Sequence, residues 1–239
     1  MVKMKRYKLN KFYNEDCMIG MAKFPDNYFD LAIVDPPYGV RVFTRESDSG
    51  VYKKGTTKIK THFKQEYTWN DTIPKFDYFK ELKRVSKRSI IWGANYYNVF
   101  NKGGALVWYK NPGFISQLSQ CEIAALSWKK QIDYVHIKKL TGFLAPIKYI
   151  HPCEKPIALY KWLLKNYAKE GNIILDTHVG SASSLIACID LEYKYIGFEL
   201  DKDYYNDAVK RIENHKKIPP ILWKEKDLQY KQIRRRSIF

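Results

Sequence analysis

Four consecutive residues, Asp35-Pro36-Pro37-Tyr38, carry the groups in this chain best suited to chemistry. Each proline fixes its own φ and pushes the residue before it out of the helical region, so the segment is stiff and extended. A stiff loop holds acceptors in place. The Asp35 carboxylate and the Pro36 carbonyl can each accept one proton of an amine. That help matters when the lone pair is delocalised into a ring, as in the exocyclic amines of adenine and cytosine. With both protons held, the lone pair localises and turns toward an electrophile. Pro37 keeps the turn rigid, and Tyr38 offers a face on which a base stacks. The plainer account of the same residues is a strand followed by a Pro-Pro turn with a capping acid.

A second set lies in the C-terminal half. Ile173 to Asp176 is an apolar run ending in an acid, and Thr177-His178-Val179-Gly180 leads from it into a helical stretch with Ser181 as its expected N-cap, reaching about Leu191. Tyr195 to Glu199 follows as another apolar run with an acid at its end. Strand, glycine turn, helix, strand and terminal acid form a mononucleotide-binding unit, and Glu199, 23 residues after Asp176, is placed to accept from two ribose hydroxyls. Pyrophosphate sites need several glycines, or a glycine-lysine-serine/threonine run, to bring backbone N–H groups close to the phosphates. This loop has one glycine, which points to a nucleoside ligand without phosphates.

The elements that position these residues alternate in type. Leu31-Ala32-Ile33-Val34 reads as a strand buried on both faces, with Asp35 at its carboxyl end, where open α/β sheets bind ligands. Before it, Lys8 to Tyr13 reads as a short strand, and Met18, Met21, Ala22 and Phe24 have helical spacing with Asp16 as an ordinary N-cap. After it, Pro74 to Ser86 reads as a helix with Phe76, Phe79, Leu82 and Val85 on its apolar face. Ser89 to Trp92 is then a strand, Tyr96 to Phe100 a helix and Ala105 to Trp108 a strand, a second βαβ-like step. Cys121 to Ala124 is the expected last strand of that half, and Lys129 to Ile150 is basic, aromatic and weakly patterned. Pro156 stands in the first turn of a helix whose apolar face is Leu159, Trp162, Leu163 and Tyr167. Such alternation predicts an α/β fold, doubly wound, with a mostly parallel sheet.

In order, these segments resemble the amino-group DNA methyltransferases, which carry Asp-Pro-Pro-Tyr at the target amine, His-Pro-x-x-Lys-Pro before a helix, and Asp-Pro-Phe-x-Gly-Ser-Gly-Thr at the cofactor loop. The likeness covers roughly residues 14 to 212. Because the catalytic strand precedes the cofactor strand, it is to the circularly permuted group called beta. It implies a Rossmann-like class I methyltransferase fold and S-adenosyl-L-methionine as cofactor. It assigns Asp35, Pro36, Pro37 and Tyr38 to the base. It assigns Asp16 and Cys17 to the cofactor's adenine and extends the cofactor site over Asp35, His151, Lys155, Asp176, His178, Val179, Gly180, Ser181, Ser183, Glu199, Leu200 and Asp201. The chain departs from the pattern where Thr177-His178 replaces Pro-Phe and Ala182 replaces the second glycine.

The same resemblance implies transfer to the N6 amine of an adenine flipped out of double-stranded DNA. The alternatives are N4 of cytosine, for which the family more often has Ser in place of Asp35, and a DNA-binding relative that has lost catalysis. It implies a cytoplasmic, bacterial or phage-encoded protein, and leaves open a homodimer and a cognate restriction enzyme.

Composition sets the remaining bounds. A chain of 239 residues, 45% apolar, can bury one sizeable core, so residues 1–218 are expected to form one domain and 219–239 a basic tail. No apolar run approaches the ~18 residues of a membrane span, and the basic start is not followed by a signal-peptide core. Cys17, Cys121, Cys153 and Cys188 are scattered without a Cys-x-x-Cys pair, which predicts free thiols in a reducing compartment and no metal. The formal charge of +17 points to an anionic partner, nucleic acid most simply, although Lys-rich usage from an AT-rich genome would raise the charge everywhere. Clustering separates the two. Residues 41–67 hold seven basic against three acidic residues, and 221–239 hold six against two. Arg41, Arg45, Lys53, Lys54, Lys58 and Lys60, in a long insertion directly after the proposed catalytic turn, are therefore the candidate DNA contacts, with a short recognition segment at about 129–150.

Overall fold

A computed structural model of the chain describes residues 7–39, 72–100, 102–110, 119–138, 151 and 153–218. Its elements, in order, are β1 (Lys11–Asn14), α1 (Cys17–Met21), β2 (Leu31–Val34), α2 (Phe76–Val85), β3 (Ser89–Trp92), α3 (Ala94–Tyr97), β4 (Ala105–Tyr109), β5 (Cys121–Leu126), β6 (Ile132–His136), α4 (Ile157–Tyr167), β7 (Ile173–Asp176), α5 (Ser183–Asp190), β8 (Lys194–Glu199) and α6 (Lys202–Lys216). The strands form one sheet in the order β1-β8-β7-β2-β3-β5-β4-β6, parallel except for β5, which runs antiparallel to both neighbours.

All four residues of β2 are buried, and alternation along the strand sends them to two different cores. Leu31 and Ile33 pack with Leu159 and Leu163 of α4 and Leu185 and Ile186 of α5. Ala32 and Val34 face Met21 of α1 and Tyr78, Leu82 and Val85 of α2. At about 1.5–3 kcal/mol for each large apolar side chain buried, a central strand filled on both faces anchors whatever follows it. From β7 the chain winds to β8 on one side, and from β2 to β3 on the other. Between β7 and β2 lies the topological switch point, where such sheets open a crevice.

Several boundaries differ from those expected. The buried face of α2 is Tyr78, Leu82 and Val85, leaving Phe76 80% exposed, because spacings of four and three residues from Tyr78 follow the helical period and Phe76 falls on the other side. Helix α3 starts at Ala94 and stops where Asn98 turns left-handed (φ 54°), short of Phe100. Strand β4 does not pair with β3, since β5 is inserted between them, so this stretch is not a simple βαβ step. Nor is β5 the last strand: Ile132–His136, inside the expected recognition segment, pairs in parallel with β4 as edge strand β6. Ser181 does not cap α5; the cap is Ala182, in the left-handed region at φ 63°. Among the described residues no helix is long and apolar enough to cross a membrane.

Candidate active site

The Asp35 loop leaves the end of β2 at the switch point, and its carboxylate, its tyrosine hydroxyl and both proline carbonyls have partners. Asp35 Oδ1 accepts from the Tyr38 hydroxyl at 2.5 Å, and Oδ2 from Lys155 Nζ, also at 2.5 Å. The Tyr97 hydroxyl lies 2.5 Å from the Pro36 carbonyl oxygen and 2.7 Å from that of Pro37, so α3 pins both prolines. A carbonyl oxygen has two lone pairs and a carboxylate about four acceptor positions, so both retain capacity for an amine. Gly93 is required here twice over. Its φ is +71°, and a Cβ would fall 2.3 Å from Tyr38 Cε1. Tyr38, expected to stack on a base, here stacks on Tyr96 with ring centroids 5.0 Å apart and planes 17° from parallel.

Lys155 was expected at the cofactor, but its ammonium turns toward the Asp35 loop. It lies 3.0 Å from the Tyr38 hydroxyl and pairs with Glu122 Oε2 at 3.1 Å. Glu122 Oε1 in turn accepts from Lys110 Nζ at 3.1 Å. Burial pulls the Lys155 ammonium down, but the carboxylates of Asp35 and Glu122 outweigh it and hold the group well above its ordinary value. Burial pushes Glu122 up, and its two lysines overcome this, bringing it to about 2. Neither Glu122 nor Lys110 stood out in the sequence. The available signal was a charged residue inside the otherwise apolar run Cys121-Glu122-Ile123-Ala124-Ala125-Leu126.

The loop after β7 is held from below and above. Asp176, only 3% exposed, lies beneath it, accepting from the His178 backbone N–H at 3.0 Å and from the Ser184 hydroxyl. It is thus not on the cavity wall where a cofactor ligand was expected, and burial raises its carboxyl to about 7. Thr177, which stands where the family has proline, bonds the Tyr78 hydroxyl of α2 at 2.7 Å. Arg211 of α6 donates to the Ser181 carbonyl at 2.8 Å and pairs with Glu154 at 2.7 Å, tying this loop to the segment around Lys155. At the end of β8, Glu199 accepts from the Gly180 N–H at 2.7 Å and the Asp201 N–H at 3.0 Å, and burial raises its carboxyl.

One cavity of about 330 Å³ joins the two loops. Asp35, Pro36, Pro37, Tyr38 and Lys155 line one part. Asp16, Cys17, His151, His178, Val179, Gly180, Ser181, Ser183, Glu199, Leu200 and Asp201 line the rest, together with Cys153, Glu154 and Thr177 and with Tyr160 and Tyr204, two tyrosines the sequence did not single out. Asp16 reaches the cavity while also capping α1 at the Met18 N–H, 2.7 Å away, so its two readings coexist. The Cys17 thiol is pushed up to about 12 by burial and is no nucleophile. Arg41, Arg45, Lys53, Lys54, Lys58 and Lys60, like the 219–239 tail, lie outside the described residues.

The cavity is at the small end for a small-molecule site. Its donor set fits a nucleoside: Glu199 is oriented by two backbone N–H groups for hydroxyls, and the single-glycine loop makes no phosphate cradle. A rigid acid-Pro-Pro-aromatic loop opening into the same space defines a group-transfer enzyme that acts on an amine with a nucleoside cofactor.

The comparisons with known proteins agree. A profile of the N6_N4_Mtase family, DNA methylase, matches residues 50–210. The Type II methyltransferase M2.MboI of Moraxella bovis is 24% identical over 268 aligned residues, covering 95% of this chain and 93% of the relative. Among solved structures, the M1.HpyAVI–SAM complex aligns with a TM-score of 0.52 at 20% identity, covering 84% of this chain and 98% of that one. The PvuII cytosine-N4-specific DNA methyltransferase aligns with a TM-score of 0.55 at 14% identity, covering 87% and 90%. The chain belongs to the DNA methylase family.

Proposed function

We propose that this protein is an S-adenosyl-L-methionine-dependent DNA methyltransferase acting on the N6 amine of a flipped-out adenine. The observation that carries the proposal is the single cavity shared by the Asp35 loop and the Gly180–Glu199 nucleoside site. When bound, the cofactor supplies a methyl group on a sulfonium and leaves as a neutral thioether. The chain's own groups do the rest. Glu199 holds the ribose hydroxyls, and Asp16 receives the cofactor's adenine. Asp35 and the Pro36 carbonyl accept from the target amine, localise its lone pair and aim it, and one amine proton is lost to solvent after transfer. Tyr97 and Gly93 keep the loop in place, and Tyr38 exchanges its stacking partner Tyr96 for the incoming base. Extruding the base costs a few kcal/mol, which stacking and the amine hydrogen bonds offset.

Two features support adenine and activity. An acid rather than serine stands at position 35. In the altered cofactor loop, Ala182 takes the left-handed conformation that a glycine would adopt, so the backbone path survives the replacement. The test is to incubate the full chain with duplex DNA and labelled cofactor and to digest the product to nucleosides. N6-methyladenine is expected. N4-methylcytosine alone overturns the base assignment, and DNA binding without incorporation supports an inactive relative.

A further inference from the structure

Four ionic side chains form a ladder of alternating sign behind the catalytic loop: Lys110, Glu122, Lys155 and Asp35. The successive contacts are 3.1, 3.1 and 2.5 Å. Formally the ladder sums to zero. Only Asp35 and Lys155 reach the cavity, and the outer pair acts from behind them, on β5 and at the end of β4. Lys155 is 2% exposed and Lys110 12% exposed, so water screens these charges poorly.

The methyl donor is a cation and the spent donor is neutral, so the charge beside the cavity bears on one and not the other. We propose that Glu122 is a positioning residue that balances this ladder, so that no net positive charge beside the cavity disfavours the cationic donor relative to the neutral product. Glu122 does so by holding Lys155 against Asp35 and cancelling one positive charge. Were it neutral, two lysines would face a single carboxylate, and the balance would shift toward the spent cofactor. Were Lys110 neutral instead, the balance would tip toward the donor at the expense of release.

This inference rests on the S-adenosylmethionine reading, and one calorimetric experiment separates the two. The dissociation constants of S-adenosylmethionine and S-adenosylhomocysteine are measured for the full-length wild type, Glu122→Gln, Lys110→Met and the double variant. The readout is their ratio. In Glu122→Gln the ratio should shift toward the neutral product by about three- to tenfold, as expected for one unit charge acting across a partly buried site. It should shift the other way in Lys110→Met and return to the wild-type value in the double variant, whose net charge is restored. Loss of packing would weaken both ligands and would not reverse sign. An unchanged ratio in both single variants, or shifts in the same direction, refutes the charge-balance role. Wild-type protein that binds neither ligand refutes the cofactor reading itself.

Discussion

Tyr97→Phe removes one hydroxyl and nothing else, and the structure says what that hydroxyl holds. It lies within hydrogen-bond distance of two consecutive carbonyls, those of Pro36 and Pro37, and its own burial raises it far above the ordinary phenol range, so it stays a donor. A net hydrogen bond is worth about 0.5–1.5 kcal/mol, so global stability should fall by about 1 kcal/mol, roughly 2–4 °C in Tm for a chain of this size. The effect on turnover should be larger. The Pro36 carbonyl is one of two acceptors that aim the amine, and misplacing a reacting group by ~1 Å can cost about a hundredfold in rate. We expect kcat for methyl transfer to drop ten- to a hundredfold while the dissociation constant for S-adenosylmethionine stays within about twofold, because the Tyr97 hydroxyl bonds the two prolines and Tyr97 is not among the residues that line the cavity. Single-turnover methylation with saturating cofactor, beside calorimetry of cofactor binding, measures both. A Tm lowered as expected with kcat unchanged would mean that the prolines hold their own geometry and that α3 is not needed to position the acceptors.

Asp35→Ala should abolish transfer with cofactor affinity within about tenfold of wild type, whereas Glu199→Ala should weaken cofactor binding first; equal affinity in wild type and Glu199→Ala would put the ribose elsewhere. Ala182→Gly relieves about 1–2 kcal/mol of left-handed strain but loses a buried methyl and adds freedom to the unfolded chain, so denaturation should find it within about 1 kcal/mol of wild type. Ala182→Val, branched at the same φ and fully buried, should lose several kcal/mol, and a neutral result would show that the loop can repack. Two titrations near the cofactor loop oppose each other. Burial raises Asp176 to about 7, so the folded state binds the extra proton and stability falls as pH rises from about 4 to 7. Burial lowers His178 to about 4, so the unfolded state binds the extra proton and stability rises from about pH 4 to 6.5. Over that shared window the wild type should be nearly flat, Asp176→Asn should gain stability with rising pH, and His178→Gln should lose it. Urea midpoints across pH 4–7 decide, and matching slopes in the two variants would sink the assignment.

The central strands and the two loops were legible because their signals are local. Four apolar residues followed at once by turn residues read as a strand filled on both faces, and a single-glycine turn between two acid-ended strands points to its ligand class. What escaped depends on pairs distant in the chain. Lys155 meets Asp35 across 120 positions, and Tyr78 meets Thr177 across 99, and neither lysine nor tyrosine carries any mark of its partner. Glu122 needed the strand order to be recognised, because only the insertion of antiparallel β5 beside β3 brings it under Lys155. Asp176 was misplaced for a different reason. An acid at the end of a strand can face the ligand or support the loop that does, and here the His178 N–H and the Ser184 hydroxyl took it.

Strands β2 and β7 are hydrogen-bonded neighbours, in a register that pairs Leu31 with Ile174 and Ala32 with Leu175. Both strands end within two residues of that pairing, at Val34 and Asp176. The Asp35 loop and the Thr177–Gly180 loop therefore leave the sheet side by side, from neighbouring strands whose spacing of ~4.8 Å is set by backbone hydrogen bonds. Loops placed next to each other by the sheet stay neighbours when surface segments change. Segments on either side can be exchanged for others of different length and sequence while the two loops that line the cavity remain adjacent.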